Sequence, residues 1–287
     1  MFPTQDSLYH LFSNEEICQM FLFNEGVFYE INNCPECDSD VTLTGKLYRC
    51  KRKGCRKKIS LYQGTIFAKS KIPCNKILHM AYLWLSGCSH KTIVMLTGHS
   101  KQPVTNFIAV FQDLVGCAID TEDTIIGGEN IVVEIDESKF GKRKYNKGHR
   151  VEGVWVIGGV ERTNNRLMFA EAVEKKDTDT LMEVISRHVA CGSIVHTDLW
   201  KAYSQLENQF NVQHRTVNHS KHFVNPMDGT HTNTIEGIWN GIKLKVAPRN
   251  RTKNDIDYGL LEFIWRRIHK NDLWNGFLDA LKQIKME

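Results

Sequence analysis

The order of apolar runs between Ile131 and Val217 constrains this chain more than any other feature. Ile131 to Ile135, Gly153 to Val160 and Leu167 to Ala172 read as three neighbouring antiparallel strands. Asp179 to Val189 has helical spacing, with Leu181, Val184, Ile185 and His188 on one side. Ser193 to Thr197 follows as a strand that joins the sheet in parallel after its helix. Trp200 to Tyr203 reads as a short helix, Val212 to Val217 as an edge strand, and Asn233 onward as a further helix. Three strands, helix, strand, short helix, strand, helix predicts an α/β fold with an RNase-H-like mixed-sheet core.

Three carboxylates sit at telling places in that order. Asp136 ends the first run and Asp198 the fourth, and those two strands are expected to be neighbours. Glu236 lies on the last helix, which continues to Lys243. Three such acids can hold two divalent cations, Mg²⁺ or Mn²⁺, an arrangement suited to in-line displacement at phosphorus. Glu236 and Lys243 are seven residues apart, about two helical turns or ~10 Å. Both therefore face one way, with Lys243 expected to reach a DNA phosphate. Glycines at 237 and 241 weaken the helix. His196, His214, His219 and His231 are secondary candidates for phosphate or water contacts, each with a structural hydrogen-bonding role as the alternative, and Asn233 could position Glu236 or DNA.

Cys34 and Cys37 form a CxxC pair, followed twelve residues later by Cys50 and Cys55. Val41 to Leu43 and Lys46 to Arg49 read as strands around Gly45, so the pairs converge on one tetrahedral structural Zn²⁺. The metal would fix Lys51, Arg52, Lys53, Arg56, Lys57 and Lys58 on a rigid basic surface able to meet DNA phosphates. Ser60 to Tyr62 and Thr65 to Phe67 read as another small strand pair. The remaining five of the nine cysteines lie in apolar surroundings, and the odd total suits a reducing compartment better than a secreted disulfide scaffold.

Residues 14 to 24 predict a helix capped by Ser13 or Asn14, with Ile17, Phe21 and Leu22 on its apolar side. Pro73 opens a second helix through Leu85, Ser89 to Gly98 forms a third, His99 to Pro103 a turn, and Val104 to Leu114 a fourth. This helix-turn-helix-like group would offer Thr105, Asn106 and Gln112 to a DNA groove, or serve only as a connector. The basic loop 141–150 holds Lys142, Arg143, Lys144 and Tyr145 close in sequence to Asp136. Arg249, Arg251 and Lys253 could track DNA, and helices over 256–268 and 273–281 close the chain. Domain boundaries are expected at 1–30 (helical segment), 31–69 (zinc ribbon), 70–126 (helical DNA-binding or linker domain), 127–253 (catalytic core) and 254–287 (C-terminal helices).

With 287 residues the chain can bury a real core and is expected to hold two or three domains. The formal charge of +4 hides the basic clusters. The start has no basic segment followed by an apolar run, so no secretory leader is expected, and no apolar run of about 18 residues suggests a membrane span.

Asp136-Glu137-Ser138, His196-Thr197-Asp198 and His231 to Trp239 with Lys243 together resemble the ISXO2-like (IS1595-type) transposases, a family related to the Merlin DNA transposons of animals. The preceding four-cysteine segment resembles that family's zinc ribbon, and Lys245 to Arg251 favours the Merlin side. The resemblance implies a cut-and-paste transposase with metal carboxylates at Asp136, Asp198 and Glu236 and a positioning Lys243. It implies double-stranded DNA as partner, both terminal inverted repeats and target, and a homodimer or higher oligomer. Some bacterial relatives carry asparagine at the third acidic position, where this chain has Glu236. Location would be the nucleus in a eukaryote, otherwise the cytoplasm or nucleoid. Two other readings remain: a domesticated DNA-binding protein without transposition, and an RNase-H-like structure-specific nuclease.

Overall fold

The computed structural model describes residues 2–141, 153–221 and 223–285. The basic cluster Lys142, Arg143 and Lys144, with Tyr145, lies outside them. The chain divides into two compact units, residues 1–118 with 269–287, and residues 119–268.

The first unit opens with helices α1 (Tyr9–Ser13) and α2 (Glu15–Asn24). Asn14 caps α2 by accepting from the amides of Glu16 and Ile17, and Cys18 and Leu22 are its buried residues. Strands β1 (Val41–Thr44), β2 (Leu47–Cys50) and β3 (Lys58–Ser60) form a small antiparallel sheet. The second strand pair expected at 60–67 is absent. Thr65 Oγ1 donates to the Tyr62 carbonyl and accepts from the Phe67 amide, and the chain turns there to bury Ile66 and Phe67.

Helices α3 (Cys74–Leu85), α4 (His90–Thr97) and α5 (Lys101–Cys117) follow. Ser89 caps α4 by accepting from the Thr92 amide. Gly98 ends it at φ +69°, a left-handed conformation that glycine adopts without strain. Only Gly98, His99 and Ser100 separate α4 from α5. The expected turn at Pro103 lies inside the first turn of α5, where proline's missing amide costs nothing. On α5 Asn106 is exposed, and Thr105 and Gln112 are half-buried. The last helix, α10 (Leu273–Gln283), belongs to this unit, its Phe277 ring packing against Phe111 and Trp84 at 5.7 and 6.2 Å.

The second unit is the mixed sheet. Two short strands, β4 (Ile126–Gly127) and β8 (Val189–Ala190), pair in parallel at its margin. The main strands are β5 (Val132–Phe140), β6 (Val154–Glu161), β7 (Met168–Val173), β9 (Ile194–Asp198) and β10 (Gln213–Val217), in the order β10-β9-β5-β6-β7. β5, β6 and β7 pair antiparallel, while β9 joins β5 and β10 joins β9 in parallel. This is the predicted RNase-H-like strand order. Helix α6 (Thr178–His188) and the short α7 (Leu206–Gln209) cover one face with Leu181, Val184, Ile185 and Leu206 against Val133, Ile135 and Val195. Helices α8 (Asn233–Lys245) and α9 (Ile256–Ile268) cover the other. Ile235, Ile238, Trp239 and Ile242 form the buried side of α8, each contributing about 1.5–3 kcal/mol by leaving water. Among the described residues no helix is long and apolar enough to cross a membrane.

Candidate active site and cysteine cluster

Asp136 lies inside β5, not at its end, because the strand runs four residues further, to Phe140. Alternation along β5 sends Val133, Ile135 and Glu137 to the α6 face and Glu134, Asp136, Ser138 and Phe140 to the α8 face. The parallel register ends with Glu134 opposite His196, and two residues beyond that pair on each strand stand Asp136 and Asp198, near enough for the Asp198 charge to act on Asp136. Asp198 is the last residue of β9.

Each aspartate has one oxygen oriented by a fixed donor. Trp239 Nε1 donates to Asp136 Oδ2 at 2.9 Å, and the Trp200 amide donates to Asp198 Oδ1 at 2.8 Å. The first bond depends on a glycine. Gly158 sits opposite Asp136 on β6, and a Cβ there would come within 2.6 Å of the Trp239 ring. Burial raises Asp136 to a pKa of about 6, with the negative charges of Glu137 and Asp198 adding to the rise. A carboxylate pressed this way is well disposed toward a cation, and the all-oxygen donors suit Mg²⁺ or Mn²⁺.

Glu236 lies in the first turn of α8 with half its side chain exposed. Its Oε1 is 3.4 Å from Thr232 Oγ1 and 3.7 Å from His219 Nε2, which itself bonds Thr232 Oγ1 at 2.8 Å. Among the described residues only the four cysteines form a group of three or more ligand atoms within 4.8 Å of one another. The three acids are therefore not gathered into one group, and Glu236 is turned to Thr232 and His219.

Lys243 points onto β5. Its Nζ donates to Ser138 Oγ at 2.7 Å and lies 5.4 Å from the Phe140 ring centroid. Burial lowers its pKa, and the nearby Arg251 lowers it further. Arg251 donates to the Val246 and Lys243 carbonyls, ending α8. Arg249 is exposed.

The histidines separate by surroundings. His214 Nε2 meets Thr197 Oγ1 at 2.8 Å, beside Asp198. His231 Nδ1 lies 3.4 Å from Glu134 Oε1. His196 is buried, its two ring nitrogens lack partners among the described residues, and burial with the Arg162 charge lowers it to about 4. Asn233 gives its backbone amide to His231 Nδ1 at 3.3 Å.

Several neighbours escaped the sequence reading. Glu137 is buried between the Lys176 ammonium and the Tyr203 hydroxyl, and Lys176 lies over the Trp155 and Trp200 rings. Glu134 is fully buried against the start of α8. The usable signal was the start of the strand, where Glu134 and Asp136 alternate with the apolar Val133 and Ile135 and so mark one shared face.

In the first unit the cysteines converge. Cys34 and Cys55 sulfurs are 3.7 Å apart, Cys37 and Cys50 3.5 Å. Zinc–sulfur bonds of ~2.3 Å in a tetrahedron place sulfurs ~3.8 Å apart, close to these spacings and far beyond a disulfide bond. Two similar turns build the site. The Asp38 amide donates to Cys34 O and the Arg56 amide to Arg52 O, with Asp38 and Arg56 both at positive φ. Hydrogen bonds with Ser39 lower the Cys37 thiol to about 6, toward the thiolate that zinc binds. The cluster is capable of holding a metal ion and is consistent with a structural zinc site. Lys51, Arg52, Lys53, Arg56 and Lys57 are all exposed around it, with Lys51 3.6 Å from Asp40 and Lys57 paired to Glu36.

No curated protein matches the chain. A solved structure similar to it is a pre-cleavage Mos1 transpososome, 7% identical, covering 73% of this chain and 80% of that one with a TM-score of 0.20. A likeness at that score carries no weight for fold or function. Residues 113–249 match a family model, the ISXO2-like transposase domain, and the match spans the whole mixed sheet, the three acids and Lys243.

Proposed function

We propose that this protein is a cut-and-paste DNA transposase of the DDE type, with Asp136, Asp198 and Glu236 as the metal carboxylates. The observation that carries the reading is the register of β5 and β9. It ends two residues before Asp136 on one strand and two before Asp198 on the other, which supports a shared site on the sheet face covered by α8, the helix that bears Glu236. Bound divalent cations, Mg²⁺ or Mn²⁺, would polarise the attacking and leaving oxygens of an in-line displacement.

The chain's own groups hold and orient. Trp239 and the Trp200 amide fix the two aspartates. Glu236 completes the set by leaving His219, which its exposure permits. Lys243, tied to Ser138 two residues from Asp136, is placed to meet a DNA phosphate. In the first reaction a water oxygen bonds to phosphorus at a terminal inverted repeat and the bond to the 3′ oxygen breaks, freeing a 3′-hydroxyl. In the second that hydroxyl attacks a target phosphate and displaces the target strand's own 3′ oxygen.

DNA contact falls to other parts of the chain. The exposed cations Lys51, Arg52, Lys53 and Arg56 on the cysteine module suit phosphates, and α4 with α5 suits a groove. Joining two DNA ends calls for at least a dimer. A kinship with Merlin elements, and with it a nuclear location, rests on the tail at Lys245 to Arg251. A second reading, a domesticated DNA-binding protein, draws on the Glu236 contact with His219, which leaves the acids apart.

The test uses DNA carrying the sequences that flank the gene. With Mg²⁺ the protein should nick that DNA and join its 3′ ends to a target plasmid. Asp136→Asn, Asp198→Asn and Glu236→Gln should each lose about 10³-fold in rate, the equivalent of several kcal/mol, while binding the same DNA. Binding without cleavage by the unaltered protein supports the domesticated reading. Cleavage without joining supports the nuclease.

A further inference from the structure

The acid that grips α8 is not one of the three. Glu134 is fully buried, two residues before Asp136 and on the same face of β5. Its Oε2 accepts from the amides of Thr234 and Ile235 at 2.8 and 3.0 Å. Its Oε1 accepts from Thr234 Oγ1 at 2.8 Å and from Arg162 Nε at 2.6 Å. Arg162 in turn donates to the His231 carbonyl at 2.8 Å, tying down the segment that leads into the helix.

A helix start is ordinarily satisfied by its own N-cap side chain. Here the N-cap, Thr232, makes no such bond. The first amides of α8 are instead held by a strand, and burying a carboxylate for that purpose carries a desolvation cost of several kcal/mol before its partners compensate. Capping alone would not require that cost. What the strand residue adds is a fixed relation between β5 and α8.

That relation continues along both elements. Glu134 holds Ile235, Asp136 holds Trp239, and Ser138 holds Lys243. Four strand residues span about 13 Å and eight helical residues about 12 Å. The two ladders therefore match rung for rung, with Glu236 immediately after the first rung. Losing the middle or last rung would leave the helix start in place. Losing the first would free the turn that carries Glu236.

We propose that Glu134 is a positioning residue for the acidic site, setting the place of Glu236 relative to Asp136 through the first turn of α8. The inference rests on the metal-site reading of the three acids. A residue that acts only through Glu236 should matter only while Glu236 is present.

The experiment measures Mn²⁺ binding to the full chain, zinc-loaded and without DNA, from the electron paramagnetic resonance signal of free Mn²⁺. Glu134→Gln turns an amide N–H₂ toward Arg162 or the helix amides, and should weaken binding about tenfold, the scale of changes behind a metal ligand. Glu236→Gln should also weaken it, and the double variant should bind no more weakly than Glu236→Gln alone. Unchanged affinity in folded Glu134→Gln, or fully additive losses in the double variant, would overturn the proposal. If Glu134→Gln does not fold, Thr234→Val takes its place in the same cycle. It keeps the backbone bonds and loses one side-chain bond. It should weaken binding about threefold, and only when Glu236 is intact; no effect, or an additive one, overturns the proposal. If the unaltered protein binds no more Mn²⁺ than Asp136→Asn, the metal-site reading itself fails and this inference falls with it.

Discussion

The cysteine cluster and the proposed acidic site would each hold metal, but among the described residues only the cysteines converge. The cysteines span residues 34 to 55 and are aimed by two local turns. The acids come from positions 136, 198 and 236, on three separate elements. Chemistry adds to this difference. Thiols can approach as neutral groups, whereas ionised carboxylates brought close together repel. Asp136 and Asp198 share one face of the sheet, and burial raises the Asp136 pKa, with the charges of Glu137 and then Asp198 adding to the rise. Glu236 has no such constraint on its side chain and rests on His219. The lesson is that local backbone geometry brings the cysteines together, while the proposed site, made of distant like charges, would need its cation to draw the acids together.

The largest expected effect breaks the cysteine side. Replacing Cys34 and Cys37 with serine should remove one zinc per chain, seen by native mass spectrometry, and unfold the module. Structural zinc contributes about 10–16 kcal/mol in isolated fingers. A module that keeps its fold and its zinc would remove the contrast.

A smaller effect sharpens the acidic side. Asp136 has a folded pKa of about 6 against 3.8 for the ordinary group, so the folded metal-free protein binds the proton more tightly than the unfolded chain. Stability from this group is therefore present below pH 4 and is lost as pH rises through 6. Asp136→Asn, which keeps an acceptor for Trp239, should stabilise the metal-free protein at pH 7.5 by about 1–3 kcal/mol and by almost nothing at pH 4. Urea denaturation in chelator at the two pH values measures both. Equal stability at pH 7.5 would mean that Asp136 is not under charge pressure.

The smallest effect concerns the cations around the cysteines. Replacing Lys51, Arg52 and Lys53 with alanine should lower the salt slope of DNA binding by about 0.9 for each phosphate that is no longer neutralised. Lys51 already neighbours Asp40 at 3.6 Å, so its share should be the least. An unchanged slope would make these residues ordinary surface charge.

Much of this was legible in the sequence. The spacing of Cys34, Cys37, Cys50 and Cys55 foretold convergence because the constraint is local. The run order from Ile131 to Val217 foretold the sheet, because apolar periodicity and helix placement leave few ways to pair. The end of β5 was misjudged because Glu137, Ser138 and Lys139 read as polar, while the structure uses Glu137 and Ser138 as buried partners of Lys176 and Lys243. The pair at 60–67 failed because Thr65 supplies side-chain bonds that stabilise a turn. The roles of Glu134 and Gly158 were hidden because each depends on a partner about 80 to 100 residues away, Thr234 and Ile235 for one and Trp239 for the other.

The central claim is that the acids form one cation site that is completed only when the cation arrives. Anomalous scattering from crystals grown with Mn²⁺ tests it most directly. The account predicts a peak between Asp136 and Asp198, with a Glu236 oxygen about 2.0–2.6 Å from a bound ion and the contact with His219 broken. A peak elsewhere, or none while Glu236 stays on His219, would contradict it.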